Sequence, residues 1–225
     1  MRRLIDIIFV YIPVMLVLIS LIWVSAYRWL PVRWTPLMLK RTIENAGSPD
    51  YRNTQIWISK DEIDPVLTEA ILLTEDQRFY SHKGFDIKEL RQMKEEHFLN
   101  GGDIRGCSTI SQQVAKNCFT FGSRTWLRKG IEAYYTALIE IIWGKDRILE
   151  VYMNVAETGK GLFGVEAACR KYFGSPSSEL SVSDAAAIAC VLPKPLARTP
   201  STVMSAHAHR HSAVAGELGK SRPIP

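Results

Sequence analysis

The hydrophobic positions form one continuous run near the N-terminus and shorter amphipathic segments after it. Residues 7–26 contain no charged side chain. A helix of roughly 20 residues spans about 30 Å, the thickness of the hydrocarbon core of a bilayer. Tyr27, Trp29 and Trp34 follow at the distance expected for an interfacial aromatic belt. The pattern predicts a single transmembrane helix.

The flanks of this run indicate how it is used. Val24-Ser25-Ala26 resembles a signal-peptidase site, but the run is longer than the roughly 7 to 15 apolar residues of a cleaved signal, which favours an uncleaved anchor. Arg2 and Arg3 favour a cytoplasmic N-terminus, although four basic residues just after the run weaken that charge rule. We predict an N-terminus and anchor over residues 1–29.

Beyond the anchor, the polar and apolar positions predict a mainly α fold. Residues 30–53 hold three prolines and one glycine around one short helical pattern, which indicates a membrane-proximal connector. Residues 54–59 alternate briefly and are the best strand candidate. The pattern over residues 54–200 predicts one mostly helical domain. Residues 201–225 are rich in Ser, Ala, His, Gly and Pro, so we expect a weakly ordered tail.

Charge and cysteine content narrow the functional classes only slightly. The 225 residues carry 28 Lys and Arg against 23 Asp and Glu, a basic balance that suits nucleic acid, an anionic membrane or a phosphorylated substrate. The apolar run favours the last two. The four cysteines lack metal-binding spacing, so neither a metal site nor a disulfide is predicted from them. A bridge between Cys169 and Cys190 remains an alternative if the domain is extracytoplasmic.

The first candidate chemistry is an acidic pair at the end of a predicted helix. Asp64 can cap this helix, with Pro65 in its first turn. Glu75 and Asp76 then meet the carbonyl end of the helix, which disfavours negative charge and raises a carboxyl pKa. Such a group suits a general base. The alternative is an ordinary solvated pair of surface acids.

A second candidate is a polar stripe on a later helix. Thr109, Gln113 and Lys116, or Asn117 in place of Lys116, share one face at helical spacing. Hydroxyl and amide groups at a capped helix start can bind a sugar or a phosphate, because they donate and accept hydrogen bonds without excess charge.

The third candidate is a charged segment. Arg124, Arg128 and Glu132 are four residues apart, and Lys129 lies among them. On its own this spacing is typical of a ladder of salt bridges. Next to Lys116 and the acidic pair, the cations would instead clamp a pyrophosphate, with Glu132 as a metal ligand.

Four motifs in this order resemble those of the peptidoglycan glycosyltransferases of glycosyltransferase family 51, in their monofunctional, single-anchor form. The resemblance covers about residues 50–200 and implies a lysozyme-like helical domain. The motifs are Glu75-Asp76-x-x-Phe79-x-x-His82-x-Gly84-x-Asp86, Gly106-x-Ser108-Thr109-Ile110-x-Gln112-Gln113-x-x-Lys116-Asn117, Arg128-Lys129-x-x-Glu132-Ala133 and Lys145-x-x-Ile148-Leu149-Glu150-x-Tyr152-x-Asn154.

The resemblance implies an enzyme that polymerises lipid II on the outer face of the cytoplasmic membrane. Glu75 is then the general base, and Glu132 is a second important glutamate near the pyrophosphate and a magnesium or manganese ion. Phe79 and His82 would brace the loop. The implied partners are lipid II, the growing glycan chain, membrane lipid and cell-division or elongation proteins, but not nucleic acid. The expected substrate-binding residues are Asp76, Thr109, Gln113, Lys116, Asn117, Arg124, Arg128 and Lys129.

Two other classes compete with this interpretation. A lysozyme-like hydrolase would share an acid at Glu75 but would not need the cation cluster, because no pyrophosphate leaves. A membrane-anchored scaffold without activity is the second alternative. The family normally continues into a further helix with a basic face where this chain has its tail, which puts the completeness of the domain in doubt.

Overall fold

The computed structural model describes residues 7–100, 108–121 and 125–221, and these are mainly helical, as predicted. A π-helical turn, Ile7–Tyr11, leads into the first α-helix. Short 3-10 turns occur at Lys60–Glu62 and Phe79–Ser81. The α-helices are α1 (Ile12–Trp29), α2 (Pro36–Glu44), α3 (Pro65–Glu75), α4 (Ile87–Asn100), α5 (Ile110–Phe119), α6 (Trp126–Ile142), α7 (Lys145–Val155), α8 (Val165–Phe173), α9 (Val182–Val191), α10 (Pro200–Ala206) and α11 (Ala208–Ser221).

Two groups of helices share one core. In the first group α5 packs against both α6 and α7, and it presents Ile110, Val114 and Cys118, spaced four apart and all fully buried. In the second group α9 packs against α3 and α11. Residues 185–189 of α9 are four alanines and one isoleucine, all buried, so their small side chains let the neighbouring helices approach closely.

A small sheet lies beside the helices, with strand order β1-β3-β2. It consists of β1 (Thr54–Gln55), β2 (Glu157–Gly159) and β3 (Leu162–Phe163), with β1 parallel and β2 antiparallel to β3. The strand predicted over residues 54–59 is therefore too long. Its second half leaves the ladder because the Asn154 side chain accepts from the Ile58 N–H at 2.9 Å and donates to the Ile58 carbonyl at 2.8 Å.

The tail expected to be weakly ordered is helical as far as residue 221, so that expectation is wrong there. Thr199 caps α10, with Pro200 in its first turn. Val203, Val214 and Leu218 are buried, and α11 packs on α9 and α3. The average composition of the tail did not reveal these helices. Very few apolar residues are enough to pack a helix when two of them recur at i and i+4 on one face. Residues 222–225 lie outside the described part.

The apolar helix α1 has the length and composition of a helix that can cross a membrane. Its C-terminal half is hydrogen-bonded to the helical domain. The indole of Trp143 donates to the Val24 carbonyl at 2.7 Å. The Arg147 guanidinium donates to the Tyr27 carbonyl at 2.8 Å. Val24 is completely buried. Helix α1 therefore continues into the core of the helical domain.

The cysteines of the described residues are buried free thiols, at positions 118, 169 and 190. The alternative bridge between Cys169 and Cys190 is not formed. Cys107 lies outside the described residues.

Candidate active site

Glu75 is the last residue of α3, and its carboxyl faces α5 and α7. Its Oε2 accepts a hydrogen bond of 2.8 Å from the Gln113 side chain. Burial raises the pKa of Glu75, while the Gln113 and Tyr152 side chains and the more distant Arg210 oppose the shift by favouring the charged form. The predicted direction is confirmed, with burial as the main cause rather than the helix end.

Asp76 organises the start of α5. Its Oδ2 accepts the Ile110 N–H at 3.0 Å, and His82 Nε2 lies 3.0 Å from both carboxylate oxygens. Asp76 is only 3% exposed. Thr109, which caps α5, is equally buried and donates its hydroxyl hydrogen to the Gly84 carbonyl at 2.7 Å. Both residues were predicted to contact substrate, but their polar atoms are used inside the protein, so they form the framework of the site.

The same contacts explain Phe79 and His82. Phe79 is buried, packs edge-on against the His82 ring and carries the Lys145 ammonium 4.4 Å from its ring centre. His82 is bonded to Asp76. These two residues hold the loop after α3, as the sequence predicted.

Helix α5 connects Glu75 to the cation cluster. Gln113 contacts Glu75, and Lys116 follows three residues later, about 4.5 Å further along nearly the same face. Lys116 lies within Coulombic range of Glu132, Arg128 and Lys129 of α6. Helix α5 therefore contacts the acidic group of α3 through Gln113 and approaches the predicted cations of α6 through Lys116.

The cation cluster contains one buried carboxylate. Glu132 is 2% exposed and accepts from Arg128 Nη1 at 2.5 Å and from Lys129 Nζ at 2.9 Å. Partial desolvation lowers the pKa of Lys116, which indicates that its ammonium would gain from a nearby anion. Glu132 thus binds two cationic side chains, and the ammonium of Lys116 lies within Coulombic range of all three groups. Such a cluster can bind and neutralise a diphosphate.

The remaining predicted residues are less informative. Asn117 is buried on α5 at 7% exposure, and its predicted contact with substrate stays a prediction. Arg124 lies outside the described residues. No role was predicted for Tyr152, although this residue lies in the fourth motif. Arg210 was not predicted either, because it lies in the segment expected to be a weakly ordered tail.

A metal site made of protein groups alone does not fit the described residues. They contain no group of three His, Cys, Asp or Glu side chains arranged to hold an ion. Both oxygens of Glu132 already accept hydrogen bonds from cations. A divalent ion here would need most of its ligands from the substrate.

The geometry fits one kind of reaction. A carboxyl with a raised pKa can take a proton from a hydroxyl near neutral pH, and fixed cations nearby can stabilise an anionic leaving group. Together they suit transfer of a group from a phosphate-linked donor to a hydroxyl.

Comparison with known proteins gives the same class. A family model described as Transglycosylase matches residues 40–219, a range that includes α10 and most of α11. The biosynthetic peptidoglycan transglycosylase of Pseudomonas putida (strain W619) is 45% identical over 196 residues, covering 84% of this chain and 81% of that protein. The protein of the same name from Pseudomonas entomophila (strain L48) is 46% identical over 189 residues, covering 82% and 80%. The one from Rhodospirillum centenum (strain ATCC 51521 / SW) is 46% identical over 175 residues, covering 78% and 74%. This chain therefore belongs to the transglycosylase family.

Proposed function

We propose that this protein is a peptidoglycan glycosyltransferase that polymerises lipid II into glycan strands. The observation that supports this most strongly is the arrangement along α5, where Gln113 contacts Glu75 and Lys116 lies near Glu132 and its two cations. A base and a diphosphate-binding cluster are the two functions that the reaction needs.

In the proposed reaction, Glu75 removes the proton from the 4-hydroxyl of the acceptor sugar. The freed oxygen attacks the anomeric carbon of the donor chain, and the bond from that carbon to the pyrophosphate oxygen breaks. The configuration at the carbon inverts. Lys116, Arg128 and Lys129 stabilise the charge that develops on the departing lipid pyrophosphate.

The roles of the two glutamates differ because their surroundings differ. Glu75 is half-buried next to neutral donors and has a raised pKa, whereas Glu132 is held between two cations. We assign Glu132 to the orientation of Arg128 and Lys129. A magnesium or manganese ion that arrives with the diphosphate stays a prediction, and Glu132 would bind it only by giving up one cation partner.

We further propose that α1 spans the cytoplasmic membrane and that the catalytic domain lies on its extracytoplasmic face. The apolar helix and its bonded connection to the domain support the anchor. The face follows from the proposed substrate, which is lipid-linked and presented there. Contacts with cell-division or elongation proteins remain predictions.

The test is glycan polymerisation from labelled lipid II in detergent with a divalent metal present. We expect Glu75→Gln to lose at least ~100-fold in rate, the lower range for one general base. Glu69→Gln is the matched control, because Glu69 is exposed on the same helix, and it should polymerise like the parent. A parent that makes no polymer would refute the proposal.

The same protein samples also distinguish the glycosyltransferase from a lysozyme-like hydrolase. Cleavage of finished glycan strands by a parent that does not polymerise lipid II would favour the hydrolase. No activity in either assay would favour the membrane-anchored scaffold without activity. The cationic side chains of Lys116, Arg128 and Lys129 near Glu132 argue against the hydrolase, which releases no diphosphate.

A further inference from the structure

The segment between α1 and α2 frames a small cavity on the surface of the domain. This connector cavity has a volume of about 220 Å³ and is lined by Arg33, Trp34, Met38, Asn53, Gln55 and Trp57. Its lining begins shortly after α1 ends at Trp29. None of the lining residues belongs to the site around Glu75 and Glu132, so the proposed reaction gives the cavity no role.

Hydrogen bonds within the protein hold the walls of the connector cavity in place. The Gln55 amide donates to the Val32 carbonyl at 3.0 Å and to the Asn154 carbonyl at 2.8 Å. The Asn53 amide donates to the Met38 carbonyl at 3.1 Å and to a threonine hydroxyl of α2 at 2.8 Å. Both amide NH2 groups are therefore used inside the protein, and the walls are formed before a ligand arrives.

Arg33 is the cationic residue of the lining. It is exposed, and its side chain has no hydrogen bond or ion pair among the residues that the structure describes. The neighbouring basic residues are engaged. Lys40 and Arg41 of α2 pair with Glu44, and the Arg28 guanidinium lies 5.0 Å from the ring centre of the next residue, a tryptophan. Arg33 thus offers an unpaired guanidinium, whose parallel N–H donors suit the oxygens of a phosphate.

The lining beside Arg33 is aromatic. Trp34 is 66% exposed, and Trp57 is half-buried with the Arg147 guanidinium 5.2 Å from its ring centre. Arg147 also donates to the Tyr27 carbonyl, so this wall is tied to the end of α1. Indole rings favour the headgroup level of a bilayer. The connector cavity therefore lies where lipid headgroups would be if α1 spans the membrane.

Charge and lining together favour a phosphate that is attached to a lipid. Residues 7–43 contain no Asp or Glu, so no acidic group of this segment repels an anion. A free phosphate ion exposes oxygens on all sides and needs several donors, whereas the amide hydrogens here are already used. A phosphodiester carries a single negative charge, which one guanidinium matches. The glycerol and first acyl carbons of a lipid would contact the two indoles.

We propose that the connector cavity binds the phosphodiester group of a membrane phospholipid, with Arg33 as the cation and the indoles of Trp34 and Trp57 beside the glycerol. This rests on the proposed membrane span of α1 and not on the proposed reaction. The bound lipid fixes the connector at the outer surface of the membrane. It also gives a reason for basic residues directly after the anchor, which the charge rule disfavours on that side.

The test is phospholipid binding by the full-length protein in detergent at physiological ionic strength. Native mass spectrometry measures bound phosphatidylglycerol as the lipid concentration is raised. For Arg33→Ala we expect an apparent dissociation constant about 5-fold higher, the effect of one basic residue on an anionic lipid. Diacylglycerol with the same acyl chains lacks the phosphate, and it should bind to the parent no better than phosphatidylglycerol binds to Arg33→Ala.

Arg28→Ala is the matched control, because it removes the same charge from the end of α1 without changing the lining of the connector cavity. Its dissociation constant should stay within about 2-fold of the parent, since salt screens a charge that does not contact the lipid. Glu75→Gln should bind phosphatidylglycerol like the parent. Circular dichroism checks folding, and Arg33→Gln replaces Arg33→Ala if that variant fails to fold.

The outcomes distinguish the occupants of the cavity. Unchanged binding in the neutral Arg33 variants, an equal loss in Arg28→Ala, or equal binding of diacylglycerol would each overturn the proposal. Displacement of the phospholipid by millimolar inorganic phosphate would assign the cavity to the free ion, and displacement by an equal amount of lipid II would assign it to the substrate. Either result would also overturn the proposal.

Failure of this proposal is separable from failure of the proposed function. Release of the parent protein from membranes by alkaline carbonate would refute the proposed span of α1 and, with it, the lipid site. A parent that binds phosphatidylglycerol through Arg33 but makes no polymer would instead refute the glycosyltransferase and leave the lipid site intact.

Discussion

Leu218 tests whether α11 belongs to the folded domain. Its side chain is 1% exposed, between α11 and the α9 and α3 helices. Leu218→Ala removes buried carbons and leaves a cavity, a change that costs about 2–5 kcal/mol in well-packed cores. Because α11 is the last helix described and can relax, we expect the lower part of that range, about 2–3 kcal/mol of unfolding free energy.

The measurement is denaturant unfolding of the full-length protein in detergent, followed by circular dichroism. Glu217→Ala is the matched control, since Glu217 is exposed on the same helix and forms one surface ion pair with Lys220. We expect it to change stability by less than about 1 kcal/mol. If Leu218→Ala changes the unfolding free energy no more than the control, the conclusion that α11 is part of the core would be wrong.

Two further changes test the site and the backbone. Gln113→Leu removes the hydrogen bond that favours ionised Glu75. Because such bonds to charged groups contribute about 1.5–3 kcal/mol, the acidic limb of the pH–rate profile should move to higher pH by about 1–2 units. A limb that stays at the pH of the parent would show that the bond is not formed in solution. Gly164→Ala should destabilise the protein by more than about 2 kcal/mol in denaturant unfolding, because φ is +82° and an added Cβ would lie 2.7 Å from the Asn154 carbonyl oxygen. Gly174→Ala, at φ +71° with no atom within 4 Å of the added Cβ, is its control and should cost only about 1 kcal/mol; equal losses would contradict the steric argument.

The sequence predicted the fold where periodicity was strong. The apolar run forms α1. Glu75 is the last residue of α3, as the spacing of the apolar residues in that helix indicated. The strand over residues 54–59 was too long because one distant side chain, Asn154, takes over its backbone hydrogen bonds. Contacts between residues about a hundred positions apart cannot be found from local alternation.

The site was predicted less completely, for a similar reason. A polar residue near a functional motif can face the substrate or hold the backbone, and the sequence does not distinguish these uses. Gln113, Asp76 and Thr109 were all predicted to bind substrate. In the structure Gln113 donates a hydrogen bond to Glu75, and Asp76 and Thr109 form hydrogen bonds within the protein. Arg210 was missed because the average composition of the tail concealed a short apolar face.

The packing of α1 against the helical domain affects how deep that domain would lie in the bilayer. The helical residues 7–19 precede the first contact with the domain and span about 20 Å. The hydrocarbon core is about 30 Å thick. If α1 spans the membrane as proposed and the span begins at residue 7, about 10 Å of it comes from the part of α1 that is packed on α6, and lipid around this part also reaches α6.

Helix α6 runs beside α1 in the same direction, because Tyr134 pairs with Ser20 and Trp143 pairs with Val24. With α1 placed in the membrane as proposed, the first turn of α6 points toward the bilayer interior. That turn carries Trp126 and Leu127, which are 93% and 75% exposed. The catalytic domain would sit partly immersed in the outer leaflet. A lipid-linked donor could then reach the cations of α6 by lateral diffusion, without lifting its chain out of the membrane.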